Sequence, residues 1–464
     1  MSIQSPLRAT TQSGGFELTT RSLDSSRPDS SSRVGLLGLV GLLLTGFVVA
    51  ISAARTDSLL PESIRPVPQA LAGAFGTFGP NLHVVGLIAV LALMFVAYVV
   101  VVGASDHLSG RAVLMSIAAL NALVLLAPPL LSTDVFSYQA YARIGAVYGA
   151  NPYLYGPHAF ALDPLFPYIG AKWSYIPSAY GPVFTTFSYL LAPLSIAASV
   201  VAYKSIAAIA SLAIVALVWN AARLRGLNPV KAAALVGLNP LLVLYGVGGG
   251  HNDLLMLLAT VAGVYAFLIH RERLSGGLMM LAVGIKLTAG LVAPFALAAG
   301  GSRRGRTRRR DFTIGVGVGA ALVAALGFAL FGTGPLHLLA TVEKTQSKSD
   351  WLSIPGFIST RLGLAPVGRI AGYVLAVGFV GICCWLLRRV WRDEMDWIDA
   401  AGWATVALLA TASSLLPWYV AWVLPLAALS ADRRLFRVAI VMTGVVQGIQ
   451  LLGYIPHGSS LLGL

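Results

Sequence analysis

The sequence predicts an all-α, polytopic membrane protein, a transmembrane bundle of about 11–13 helices with short interfacial helices on an outer-face loop. Three observations carry this: an apolar composition, long apolar segments that recur along the chain, and basic residues that gather between them on one side. Of 464 residues 57% are apolar and only 11% are charged. The mean hydropathy of +0.79 lies outside what a water-soluble domain shows.

Apolar segments run over 34–54, 81–103, 111–131, 203–222, 229–247, 253–270, 312–332, 370–388, 398–416, 418–431 and 435–453. Most are long enough to span, since a helix crosses the hydrocarbon in ~20 residues. Residues 1–33 are rich in Ser, Thr, Arg and Gly and lack an apolar face, so they read as a disordered cytoplasmic tail. The membrane domain is then 34–464. Segment 34–54 reads as an uncleaved anchor, because its apolar core and polar leader are both long for a signal peptide. The adjacent Cys383 and Cys384 lie in an apolar helix and read as packing residues.

The formal charge of +14 gains meaning from its placement. Arg223 and Arg225, Arg271 and Arg273, the arginine run of 303–310, and Arg388, Arg389 and Arg392 all fall on one side of the segments. With the first helix running outward, that side is cytoplasmic. The charge is therefore topological, and a nucleic-acid surface is excluded. The same basic loops flank 276–300, which is interrupted by Lys286 and Pro294 and reads as a hairpin of two short helices. Lys286 is expected to snorkel to the cytoplasm, away from any outer site. Segment 181–199, broken by Pro182 and Pro193, is not expected to span.

Ionisable groups at a membrane face are costly, so the acids left outside form a short list: Asp57, Glu62, Asp134, Asp163, Asp253, Glu343 and Asp350. Asp57 and Glu62 lie in a Pro-rich first loop and read as solvated. Asp134 directly follows the third apolar segment. It reads either as a general base, its pKa raised by burial, or as a helix cap. The loop 132–200 is rich in aromatics and folded by Asn151-Pro152-Tyr153, Tyr155-Gly156-Pro157 and Tyr180-Gly181-Pro182. Its rings suit an interfacial belt or a sugar platform. Asp163 reads as a turn former before Pro164. Arg143, about a turn beyond Asp134 on the same helix, is a candidate for a phosphate or for an acid partner.

A second focus is Asn239-Pro240-Leu241 with Gly246-Val247-Gly248-Gly249-Gly250-His251-Asn252-Asp253. Its glycines let backbone amides approach a ligand, and His251 with Asp253 suits a phosphate or a hydroxyl; the alternative is a glycine turn capped by Asn252 or Asp253. The second outer loop, 333–365, carries Glu343, Lys344, Lys348, Asp350 and Trp351 and reads as a solvated lid or as a substrate contact. Leu416-Pro417-Trp418-Tyr419 joins two helices at the outer boundary, as an aromatic belt or a sugar platform.

Together these motifs resemble the GT-C superfamily of glycosyltransferases. The likeness is nearest to the polyprenyl-phosphate-mannose-dependent α-1,6-mannosyltransferases of actinobacterial lipomannan assembly. It spans roughly residues 110–430 and rests on Asp134-Val135-Phe136-Ser137-Tyr138, Asn151-Pro152-Tyr153, Tyr180-Gly181-Pro182, Asn239-Pro240-Leu241, Gly249-Gly250-His251-Asn252-Asp253 and Pro417-Trp418-Tyr419. The resemblance implies a GT-C bundle in the plasma membrane, its active site on the extracytoplasmic face. It implies Asp134 as the catalytic base, with Tyr138, Arg143, Tyr180, His251, Asn252, Asp253 and Trp418 binding substrate. The donor would be polyprenyl-phosphate-mannose and the acceptor a lipid-anchored or short glycan. Beyond these and the membrane lipids, no nucleic acid, metal or cofactor is expected. No Asp-x-Asp occurs in the chain, in keeping with a lipid-phosphate donor. Transfer would invert the anomeric carbon, with one carboxylate sufficing. Arabinose or galactose donors, and a transporter or flippase of lipid-linked sugars, are the alternatives.

Overall fold

The computed structural model describes residues 30–299, 303–346, 353–360 and 362–454, and within them the chain is helical without a strand. The helices are α1 (Ser30–Ser52), α2 (His83–Ala104), α3 (Gly110–Leu126), α4 (Asp134–Ala146), α5 (Pro182–Tyr189), α6 (Ile196–Leu224) and α7 (Pro229–Gly237). There follow α8 (Asp253–Leu268), α9 (Glu272–Ile285), α10 (Ala293–Ala298), α11 (Arg303–Phe331), α12 (Leu338–Gln346) and α13 (Ile354–Thr360). The last are α14 (Ala365–Trp391), α15 (Trp397–Thr411), α16 (Leu424–Ala428) and α17 (Arg433–Gly453). Six of these segments are long and apolar enough to cross a membrane, and shorter apolar helices pack among them. The protein is an all-α polytopic membrane protein.

Helix starts follow from local chemistry. Ser109, Ser195, Asn228, Asp396 and Asp432 each accept a hydrogen bond from a free amide of the first turn, capping α3, α6, α7, α15 and α17. Small residues then set how closely helices approach. A side chain at Gly276 of α9 would meet the Phe312 carbonyl at 2.4 Å, and one at Gly284 would meet Val323 at 3.0 Å. Position advances along both helices together, so α9 and α11 run parallel. The chain between them must return, and it does so through a 3-10 turn, Leu287–Leu291, and α10. A hairpin is thus present over residues 276–299, where one is expected over 276–300, with Lys286 at its tip; residue 300 lies outside the described residues.

The two ends of the bundle differ. At one end Arg225 pairs with Asp396, Lys231 with Asp106, Arg273 with Asp311 and Arg308 with Glu272. These residues close one end of α6, α8 and α9. Asp253 and Lys286 mark the opposite end of α8 and α9, and there the long loop between α4 and α6 folds over the bundle.

That loop is tied down by its own motifs. Asn151 accepts from the Tyr153 amide at 3.0 Å and donates to the Phe331 carbonyl at 2.7 Å. The Tyr153 hydroxyl donates to the Tyr180 carbonyl at 2.9 Å, and the Gly181 amide donates to the Ile285 carbonyl at 2.9 Å. Tyr180-Gly181-Pro182 is therefore a clasp that fastens the loop to the end of α9.

Several boundaries depart from the sequence expectation. α1 begins at Ser30, inside the expected tail, whose residues 1–29 lie outside the described residues. α6 begins at Ile196 and so takes in the end of the expected outer loop. Segment 229–247 is not one span but α7 followed by a π-helix at Leu242–Val247, because the Asn239 side chain caps the second piece through the Leu241 and Leu242 amides. Segment 418–431 is likewise a 3-10 turn, Pro417–Trp422, and the short α16. Part of the 333–365 loop folds as α12 and α13, while Lys348, Asp350 and Trp351 lie outside the described residues. Segment 181–199 holds α5, a turn and the first residues of α6, so no helix spans within it, as expected.

The clasp has no room for a side chain: a Cβ at residue 181 would lie 2.2 Å from the Gly284 carbonyl oxygen. Gly181→Ala should lower stability by about 1–3 kcal/mol, the usual cost of forcing atoms into a packed contact, read as an earlier thermal unfolding midpoint in detergent.

Candidate active site

The approach to Asp134 is held from several sides. Lys204, fully buried in α6, donates to the carbonyls of Ala127 and Pro128, the latter at 3.0 Å, closing the C-terminus of α3. The Leu130 amide donates to the Gly248 carbonyl and the Leu131 amide to the Leu59 carbonyl, each at 3.0 Å. Ser132 then accepts from the Asp134 amide at 3.2 Å. The serine, not the aspartate, meets that amide. The Asp134 carboxylate is left facing His251 and the Tyr138 hydroxyl, with His251 Nδ1 3.3 Å and Tyr138 Oη 3.4 Å from Oδ2.

His251 reaches Asp134 because of the glycine turn before it. Gly250 has φ +66°, and a side chain there would meet Val135 at 2.7 Å. The glycines press the turn against α4. Their amides are occupied, Gly248 to Val243, Gly249 to Tyr245, Gly250 to Val247 and His251 to Gly246, so they do not form the expected ligand cradle. His251 stacks on Trp418, ring centroids 3.8 Å apart. Asn252 accepts from the Tyr138 hydroxyl at 3.2 Å, and neither Asn252 nor Asp253 caps α8 with its side chain.

The Asp253 carboxylate is instead taken by Lys286, at 2.8 and 3.0 Å, and by the Trp422 indole N–H at 2.7 Å. The Lys286 ammonium also lies over the rings of Tyr419 and Trp422, 4.8 and 5.2 Å from their centroids. This corrects the expectation that Lys286 snorkels to the cytoplasm. The hairpin around it turns at the same end of the bundle as Asp134, so its tip belongs to the site. The signal was present in the sequence: a lone lysine inside an apolar segment is a functional candidate, and the hairpin already placed it at the turn.

Asp134 and Lys286 line one cavity of about 200 Å³ with Ser137, Tyr141, Tyr180 and Tyr419. Asp134 also borders a second, of about 500 Å³, walled in part by Trp418 and Trp173. Tyr138, His251, Asn252 and Asp253 stand behind these surfaces, each at most 3% exposed. Tyr180 meets Tyr138 edge to face at 5.0 Å.

Arg143 does not join them. It lies nine residues beyond Asp134, which at 1.5 Å per residue is about 14 Å along α4 rather than a single turn. Its guanidinium pairs with Asp163 at 2.8 Å, and Tyr148 donates to the same carboxylate oxygen at 2.7 Å. Asp163 also accepts from the Leu165 amide at 2.8 Å. It is the turn former expected before Pro164, and the partner of Arg143 as well.

Electrostatics separate the acids further. Burial alone would push the Asp134 carboxyl up, as expected from the sequence. The hydrogen bond and charge of His251, the charge of Lys286 and the Ser132 hydroxyl outweigh it, and the carboxyl is held below its ordinary value. Burial, with Asp134 and Asp253 nearby, pushes the Tyr138 phenol well above its ordinary value, so it stays a donor. Asp134 is thus an ionised, partly exposed carboxylate at a cavity wall, across from an ammonium. That pairing can accept a proton on one side and hold an anion on the other. Among the described residues no cluster of His, Cys, Asp or Glu suits a metal ion.

Residues 32–300 match the family model described as the N-terminal domain of alpha-(1->6)-mannopyranosyltransferase, and 356–463 match the MptB C-terminal domain. The chain is 27% identical to alpha-(1->6)-mannopyranosyltransferase A of Mycobacterium tuberculosis, over 76% of this chain and 72% of that protein. It is 28% identical to alpha-(1->6)-mannopyranosyltransferase B of Corynebacterium glutamicum, over 94% of this chain and 81% of that protein. A probable alpha-(1->6)-mannopyranosyltransferase of Mycolicibacterium smegmatis is 29% identical over 70% of this chain and 66% of its own length. No solved structure matches the chain. The matched N-terminal domain covers more than half of the chain and contains Asp134, His251 and Lys286, and the chain belongs to the alpha-(1->6)-mannopyranosyltransferase family.

Proposed function

We propose that this protein moves mannose from polyprenyl-phosphate-mannose to a lipid-anchored mannan or glycolipid acceptor, on the outer face of the plasma membrane, forming α-1,6 linkages. The observation that carries the reading is the shared cavity of Asp134 and Lys286. A lipid-phosphate sugar needs a cation for the phosphate, a base for the acceptor hydroxyl, and apolar walls for the lipid. An apolar groove of about 270 Å³, walled by α5, α9, α11 and α12, adjoins this cavity through Leu287. It offers the isoprenoid chain a path from the bilayer to Lys286. The gathering of basic residues at the other end of the bundle favours an outward-facing site.

Asp134 takes the proton of the acceptor hydroxyl, and the freed oxygen attacks the anomeric carbon. The bond from that carbon to the phosphate oxygen breaks, and polyprenyl phosphate leaves with the bonding electrons on the opposite face. A β-linked donor then gives an α-linked product. Lys286 offsets the charge that grows on the departing phosphate. Asp253 and Trp422 keep the lysine pointed at it, while His251 and Tyr138 orient the base. The donor phosphate is already anionic, so a lysine serves where a nucleotide-sugar would call for a metal.

Two measurements test these roles. In membranes at equal expression, Asp134→Asn should cut transfer from labelled polyprenyl-phosphate-mannose about 10²–10⁴-fold, the worth of a positioned base. Lys286→Met should cut it about 10²–10³-fold, the worth of one charge-stabilising group. Retained transfer in Asp134→Asn would move the base elsewhere.

The pH profile gives a second check. The working form of Asp134 is the carboxylate, so activity is lost as pH falls through its pKa. Because that pKa is held below its ordinary value, the acid limb of kcat/KM should lie below about pH 4, the usual aspartate range. An acid limb between pH 5 and 7 would mean that burial prevails at this carboxyl.

A further inference from the structure

The end of the bundle opposite Asp134 carries arginines that the ion pairs there leave over. Glu272 takes Arg308 and Asp311 takes Arg273, while Arg389 and Arg392 lie 3.7 and 3.9 Å from Glu394. Arg309 and Arg310 of α11 and Arg388 of α14 have no acid partner among the described residues. We propose that these three arginines hold the phosphate of an anionic phospholipid whose acyl chains lie along α11 and α14. Such a lipid sits at the opposite end from Asp134 and owes nothing to the transfer chemistry.

Arg309 is the most constrained of the three. Its guanidinium lies over the Trp391 ring of α14, 4.0 Å from the centroid, and donates one N–H to the Ala298 carbonyl of α10 at 3.1 Å. The stack and that bond hold the planar fork in place, while its Nε has no acceptor among the described residues. A phosphate oxygen would supply one, and a fork held in this way suits a phosphate through two parallel hydrogen bonds. Arg388 stands one turn before Trp391 on the same face of α14 and is exposed, and Arg310, also exposed, follows Arg309. Two helices distant in sequence thus bring their basic residues to one junction.

The same helices provide for the tails. Only 6% of the apolar stretch of α14 and 22% of that of α11 is buried. On α11 the exposed Ile314, Val318 and Leu322 recur every four residues from Arg310, and on α14 the exposed Val377, Val374 and Ile370 lead away from Arg388 at helical spacing. α10, which packs against both helices, is six residues long and at 1.5 Å per residue reaches only about 9 Å. The rest of both stripes is left to lipid. Basic clefts between membrane helices take acidic headgroups, whereas a zwitterionic headgroup carries its own cation and would leave the arginines uncompensated.

The test follows the thermal midpoint of the full-length protein in zwitterionic detergent as phosphatidylglycerol, phosphatidylcholine or inorganic phosphate is added. Phosphatidylglycerol should raise the midpoint, because a ligand of the folded form stabilises it by mass action, and the other two should not. Arg388→Gln, at an exposed position where folding is not at stake, should raise the lipid concentration needed for half the rise about fivefold, the worth of one basic residue near an anionic surface. Arg309→Lys keeps the charge but loses the fork, and should raise it at least as far. Arg437→Gln, on the exposed start of α17 at the same basic end, should leave it unchanged. No rise with phosphatidylglycerol, or an equal rise with phosphatidylcholine, would overturn the proposal. So would a full response in both Arg388→Gln and Arg309→Lys, or an equal loss in Arg437→Gln, which would spread the attraction over the whole basic end. A rise with inorganic phosphate that matches phosphatidylglycerol would make this a site for a soluble anion and overturn it too.

Discussion

The contact between Lys286 and Asp253 is the interaction on which the site depends. Lys286 lies 33 residues beyond Asp253, at the tip of a hairpin that reaches into the bundle. The ion pair between the buried Asp253 carboxylate and the partly buried Lys286 ammonium holds that tip against the start of α8, and the Trp422 indole N–H donates to the same Asp253 oxygen that lies nearest the lysine. Removing the lysine costs about 3–5 kcal/mol, because the carboxylate is left buried without a partner charge. The pair therefore sets where the hairpin ends. Its position in turn places a cation across a cavity from Asp134.

The rest of the architecture serves the same convergence. The Tyr180-Gly181-Pro182 clasp binds the aromatic loop to the end of α9, so the loop cannot move without the hairpin. The glycine turn brings His251 onto α4, and Trp418 supports its ring from behind. Lys204 ties the end of α3 to α6, fixing the point from which α4 starts. In a bilayer such polar fastenings are worth making only where backbone and charge can be fully paired, and those around Asp134 lie at the end of the bundle opposite the basic loops.

Much of the fold was legible in the sequence because apolar length and basic loops act locally and additively. α1, α2, α6, α11, α14 and α17 match expected segments to within a few residues, apart from the earlier starts of α1, α6, α11 and α14. The site was legible in part. Asp134, Tyr180 and Trp418 border the cavities, and His251 meets Asp134, because each stands in a motif with a recognisable turn or aromatic signal. Lys286 was misread, since it was assigned to the cytoplasmic side although it ends α9 at the hairpin tip, where Asp253 takes its charge. Arg143 was misplaced by counting helical rise too short, and its pairing with Asp163 depends on a loop that no periodicity announces. The glycines were read either as a ligand cradle or as a turn, and the turn is what they form. Whether their amides are free is decided by the π-helix before them, which no residue pattern predicted.

The proposed transfer requires Lys286 to act at the site in the position that Asp253 gives it. The most direct measurement is a double-mutant cycle on transfer from polyprenyl-phosphate-mannose, with Asp253→Asn, Lys286→Met and the two combined, at equal expression. If Asp253 acts through Lys286, the double variant should be no slower than Lys286→Met alone, to within a factor of about two. If the two losses multiply, Asp253 and Lys286 act independently, and the site described here is wrongly assembled.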